Sequence, residues 1–155
     1  MGLRSSILRD PISALTPRPF VQVHPGATVR QTIDQMKRQK AGAAIIVRNE
    51  RPFALFTEKM LIRLLLSQPT AMDDAIELHA DPHVVCLRRD EPVARLIATM
   101  QRRRLRWVCI INDAGIAVGV AGLRAAIDYV VDFMPLVVRV EPMEGRVAME
   151  EREGA

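Results

Sequence analysis

Few residues of this chain are of types that do chemistry, and their spacing argues against most of it. His79 and His83 stand four apart, which on a helix would suit a metal, but Asp81-Pro82 lies between them and breaks the helix that spacing requires. His24 sits alone in a Pro-Gly turn, and no Ser or Cys has the context of a nucleophile elbow or a Cys-His pair. The carboxylate pairs Asp73-Asp74 and Glu150-Glu151 are adjacent in sequence, so on a helix or in a tail they point apart. Cys86 and Cys109 fall in apolar, β-like runs where a free thiol behaves as a small buried hydrophobe; they imply no disulfide framework and fit a reducing cytoplasm. Neither catalysis nor a metal site is expected. What remains is cationic, an Arg-rich body whose general field could attract phosphates, nucleic acid or acidic lipid, although a charge excess of this size is common on soluble domains. Thr57 suits a helix cap, and the arginine run from 102 to 104 suits the solvated end of a helix.

The 155 residues suit one compact domain, with 49% hydrophobic and 26% charged residues, so a disordered chain is excluded. Aromatics are 4%, too few for the stacking platforms of single-strand binders, which disfavours nucleic acid as a partner. The net charge of +4 is uneven: residues 1–140 carry +7 and residues 141–155 carry −3, an Arg-rich body with an acidic tail. The longest clean apolar run, residues 41–47, is strand-sized, and the N-terminal segment has charges in place of an apolar leader. A cytoplasmic protein without a membrane span is the expectation.

An internal repeat supplies the elements that position these residues. Residues 20–66 and 84–132 superpose with an offset of 64, which becomes 65 after one inserted residue at the turn Asp113-Ala114-Gly115. Val29, Ile33 and Met36 meet Val93, Ile97 and Met100, a helical stripe in each copy, with Thr28 as the expected N-cap of the first and Asp90 of the second. A short strand precedes each helix (20–23 and 84–87). A continuous apolar strand follows it (43–47 and 107–111), then a polar turn and a further strand (53–56 and 116–120). A last helix closes each unit, with Leu61, Leu64 and Leu65 inward in one and Ile127, Val130 and Val131 inward in the other. The order predicts an α/β fold of two tandem β-α-β-β-α units, packed face to face through their sheets. The expected organisation is an N-terminal segment with a short helix (1–18), repeat one (19–66), a connection (67–83) with a short helix over 72–78, repeat two (84–133), and a C-terminal strand or arm with an acidic tail (134–155). The alternating run Leu136 to Val140 reads as that strand.

This pattern resembles a tandem pair of cystathionine-β-synthase (CBS) domains, the Bateman module. The resemblance rests on Gly42-Ala43-Ala44-Ile45-Ile46-Val47 followed by Ala54 to Leu61, and on Arg106-Trp107-Val108-Cys109-Ile110-Ile111 followed by Gly119 to Ala126. It implies a non-enzymatic regulatory module, a homodimer, and a cleft between the repeats for an adenosine-type ligand such as AMP, ADP, ATP or S-adenosylmethionine. The family pattern at the last strand and helix is Gly, two apolar residues, Thr or Ser, two variable residues, then Asp, whose carboxylate suits the ribose hydroxyls. The first copy keeps Thr57 but has Ala54 and Met60 at the Gly and Asp positions; the second keeps Gly119 but has Gly122 and Ala125 at the Thr and Asp positions. Each missing carboxylate weakens ribose recognition by roughly tenfold or more. The cleft residues implied by the resemblance are Phe20, Gly42, Ala43, Thr57, Lys59 and Met60 from the first copy, and Arg104, Arg106, Trp107, Gly122, Arg124 and Ala125 from the second, with the Trp107 ring near the place of adenine. A structural dimerisation module with ligand-free clefts is the alternative, motivated by the same two missing carboxylates.

Overall fold

A computed structural model describes residues 2–15 and 18–132. After the short helix α1 (Leu3–Arg9) and a single 3-10 turn (Ile12–Ala14), the first unit runs β1 (Val21–Val23), α2 (Val29–Gln39), β2 (Ala43–Arg48), β3 (Arg51–Thr57) and α3 (Glu58–Ser67). The second unit repeats the order as β4 (Cys86–Arg88), α4 (Val93–Arg103), β5 (Trp107–Ile111), β6 (Ala117–Gly122) and α5 (Leu123–Asp132). Each sheet has three strands, the middle one parallel to the strand before the helix and antiparallel to the strand after it. The repeat extends to irregularities. The register shifts between Ile46 and Val47 in one sheet and between Ile110 and Ile111 in the other, and α2 and α4 both end on a left-handed residue, Lys40 and Arg104.

Residues of β2 alternate between two apolar environments, which is why the run carries no polar residue until its end. Ala44 and Ile46 face the core of their own unit with Val29, Met36 and Phe56, whereas Ala43 and Ile45 join Cys109, Ala117 and Val120 in a layer between the two sheets. The second unit has its own core around Val93, Leu96, Val108 and Ala121. The sheets thus meet face to face, as the sequence pattern predicts.

Each unit is completed by the segment that precedes the other. Ile12 and Leu15 pack into the core of the second unit, while Ala71 and Ile76 pack into the first. The backbone bonds of this exchange repeat as well: the Val93 N–H donates to the Asp10 carbonyl (2.9 Å) and the Val29 N–H to the Asp74 carbonyl (3.0 Å). The Tyr129 hydroxyl also donates to Asp10 (2.7 Å), and burial together with that carboxylate pushes the phenol pKa up to about 12.

Several expectations need correction. Thr28 caps α2 in a reciprocal box with Gln31, but Asp90 does not cap α4; Pro92 holds the N-cap position, and the carbonyl of Asp10 does the work that a side chain would do. The helix expected over 72–78 is instead two 3-10 turns, Ala71–Asp73 and Ile76–Leu78, which bend the connection into the first unit's core. Leu64 is buried and Leu61 packs against the core, yet Leu65, Ile127 and Val131 are exposed at 43%, 46% and 55%. The small Ala125 and Ala126 form the buried face of α5, and Tyr129, one turn on, packs against the same core, so Ile127 and Val131 on the other side of the helix point outward. The strand read from Leu136 to Val140, and the acidic tail, lie outside the described residues.

Candidate functional site

The helices α3 and α5 begin side by side with the starts of the middle strands, so the residues at these four points share one cleft. The local cause is the same in both units. The Glu58 N–H donates to the Gly42 carbonyl (3.1 Å), and the Leu123 N–H donates to the Arg106 carbonyl (2.8 Å). Thr57 adds a side-chain cap, its hydroxyl accepting from the Met60 N–H (3.3 Å), whereas Gly122 has no hydroxyl to offer. The Glu58, Met60 and Leu123 amides are thereby used, while Gly122 gives the start of α5 no side-chain cap, so an anion in the cleft would be met by side chains and by the remaining helix-start amides.

The cleft encloses about 400 Å³ and is bordered by Arg18, Gly42, Thr57, Glu58, Lys59, Arg106, Trp107, Gly122, Leu123, Arg124 and Ile127. Four of these carry positive charge and one negative. Asp128 holds two of the cations, accepting from Arg18 Nη2 at 2.6 Å and facing Arg124 Nε at 3.2 Å. Among the described residues neither Lys59 nor Arg106 joins an ion pair, so both are available to an incoming anion. Trp107 lies between the two units' glycines. A Cβ placed on Gly42 would stand 2.9 Å from its Cζ2, and one on Gly122 would stand 3.0 Å from its Cζ3. Only glycine at both positions admits the indole.

A smaller hollow of about 270 Å³ lies next to the cleft, with Arg18 on the border of both. Ser13, Leu15, Phe20, Arg89, Gly119 and Ala125 are among its walls. On the first unit, Leu55 at the edge of β3 exchanges both backbone bonds with Asp81 (2.9 and 2.8 Å). The matching residue of the second unit, Val120, lines the hollow.

Seven residues expected from the sequence therefore border the cleft (Gly42, Thr57, Lys59, Arg106, Trp107, Gly122 and Arg124), and Phe20 and Ala125 line the hollow beside it. The other three lie elsewhere. Ala43 is fully buried between the sheets, Met60 packs against the first unit's core, and Arg104 borders a separate hollow of about 520 Å³ on the outer face of α4 and α5. Sequence reasoning missed Ser13, Leu15, Arg18 and Arg89. The first three precede the repeat, and only the exchange of segments brings them to the second unit; Arg18, flanked by Pro17 and Pro19, gave no periodic signal.

Elsewhere, His79 binds Asp74 (2.8 Å) and His83 binds Asp81 (3.2 Å), each with its own carboxylate. Among the described residues no group of three or more His, Cys, Asp or Glu converges as metal ligands would. No helix among them is long and apolar enough to cross a membrane.

Two β-α-β-β-α units joined through their sheets, with a shared cationic cleft at the helix starts, define a tandem pair of small α/β modules. The chain belongs to the CBS domain family, whose pattern matches residues 12–67 and again residues 75–132. Among solved structures it is similar to a CBS domain protein from Pyrobaculum aerophilum complexed with AMP, at 23% identity and a TM-score of 0.70, covering 81% of this chain and 99% of that one. It is also similar to the CBS domain pair of protein MJ0100 in complex with 5′-methylthioadenosine and S-adenosyl-L-methionine (16% identity, TM-score 0.67, 79% of this chain and 95% of that one). The cytosolic domain of the Mg2+ channel MgtE in complex with ATP is a third such structure (19% identity, TM-score 0.62), of which the match spans 46% and which covers 74% of this chain. No curated protein matches the chain.

Proposed function

We propose that this CBS pair is a non-enzymatic regulatory module that binds an adenosine-type nucleotide in the cleft at its helix starts and signals through a homodimer. The observation that carries the reading is the convergence of Arg18, Lys59, Arg106 and Arg124 on one cleft beside the Trp107 ring, with Lys59 and Arg106 outside any ion pair among the described residues. The complexes of similar structures with AMP, ATP and S-adenosyl-L-methionine support the ligand class. Binding would act by favouring one of two dimer geometries, which requires a different affinity for each. Calorimetric titration with AMP, ADP, ATP and S-adenosylmethionine tests it. Saturable binding is expected, weakened about tenfold by Arg106→Ala, the loss of one charge-assisted bond. Flat titrations across all four compounds overturn the reading.

A second reading, a ligand-free dimerisation module, has its own support in Met60 and Ala125, which stand where the family's ribose carboxylates would be. Under it, Arg106→Ala leaves self-association unchanged and no nucleotide binds.

A further inference from the structure

Cys86 and Cys109 are register partners on the parallel strands β4 and β5. Neighbouring strands run about 4.8 Å apart, within the Cα separation of about 4.4–6.8 Å that a disulfide spans. Directly opposed residues project to the same face, and both thiols do join the apolar layer between the sheets. Both side chains therefore stand on one face at the same level of neighbouring strands, with the Cys109 thiol donating weakly to the Ile110 carbonyl (3.9 Å). The fold does not demand this pair. The matching positions of the first unit are Gln22 and Ile45, and that sheet forms with the same register. The thiols also differ: Cys86 is half-buried at the start of its strand, whereas Cys109 is buried.

We propose that Cys86 and Cys109 form a dithiol modification site, which a hydroperoxide closes to an intramolecular disulfide. The Cys86 sulfur attacks one peroxide oxygen, the O–O bond breaks, and water leaves once its oxygen is protonated, giving a sulfenic acid on Cys86. The Cys109 sulfur then attacks the Cys86 sulfur, the S–O bond breaks, and a second water carries away the hydroxyl and the Cys109 proton. Two thiols and one hydrogen peroxide become one disulfide and two waters. The division of roles follows from position, since Cys86 is the thiol a solute reaches and Cys109 the one held against it. The neighbouring Cys109 thiol lowers the Cys86 pKa against the opposing effect of burial, while Cys86 and burial raise that of Cys109. The more reactive thiolate is therefore the accessible one.

The full chain is treated with hydrogen peroxide, then unfolded for thiol counting, intact mass and peptide mapping. The expected result is loss of both thiols, a mass lower by two hydrogens, a peptide joining Cys86 to Cys109, and reversal by dithiothreitol. With Cys109→Ser the reaction stops at a sulfenic acid on Cys86 that dimedone traps, and with Cys86→Ser the folded protein keeps the Cys109 thiol. Both thiols intact, oxygen added to Cys86 with Cys109 still titratable, or disulfide-linked dimers would each overturn the proposal. The peptide map of the unsubstituted chain decides the matter if a variant fails to fold.

Discussion

Trp107 shows how much of the cleft depends on what is not there. The indole crosses from its own sheet toward the first unit because Gly42 and Gly122 present no side chain, and the ring occupies the room a Cβ would take. In the first unit the position matching Trp107 is Ala43, fully buried, so the cleft is not symmetric although the backbone around it is. Gly42→Ala would put a methyl 2.9 Å from Cζ2, a separation real Cβ atoms do not hold, so the ring must move. The cost is expected at about 1–3 kcal/mol, the range of overpacked sites. Because the chain has a single tryptophan, its fluorescence reports the displacement directly, and denaturant unfolding reports the cost. An unchanged spectrum with unchanged stability would show that the ring does not rest on Gly42.

The two equivalent helices α2 and α4 are started by different means. Thr28 and Gln31 exchange bonds of 3.0 Å in each direction at the start of α2, while α4 has no side-chain cap and receives the Asp10 carbonyl instead. Thr28→Ala should therefore cost about 1 kcal/mol, the usual value of an N-cap. Asp90→Ala should stay within about 0.5 kcal/mol, because among the described residues the Asp90 side chain makes only an exposed pair with Arg88. Paired urea melts distinguish them; equal losses would mean that Asp90 has a capping role after all. This difference also marks what the residue pattern can and cannot convey. The strands, the helical stripes and the Thr28 and Thr57 caps were legible, because each is a local choice repeated at a fixed offset. The Asp10 cap, the packing of Ile12 and Leu15 on the second unit, and Arg18 in the cleft were not, since they depend on a segment folding onto the repeat it does not precede. The outward turn of Leu65, Ile127 and Val131 was missed for a related reason. An apolar stripe wider than its core needs does not say which of its residues the sheet covers.

Those outward residues recur at the repeat's own offset, which gives the whole molecule a property neither unit has alone. Ile62 and Leu66 on α3 correspond to Ile127 and Val131 on α5, and all four are exposed, at 60%, 83%, 46% and 55%. Large apolar side chains exposed in a cluster mark an interface, and the hollow of about 520 Å³ along α4 and α5 continues that surface. A second copy of the chain can match two such faces with two of its own, an isologous arrangement that closes without leaving an apolar edge. The unsubstituted chain is expected to sediment as a dimer. Ile127→Asp places a carboxylate where the interface would exclude water, and the expected result is a monomer that retains its helical circular dichroism. Ile127 also borders the cleft, so Leu66→Asp, on the matching face of α3 and not on the cleft border, is the variant that separates the two functional readings. A monomeric variant whose nucleotide affinity falls would tie the cleft to the dimer, as signalling requires; a monomer with unchanged affinity would leave a binding site that does not report to the interface. A dimer that persists in Ile127→Asp would place the association surface somewhere other than α5.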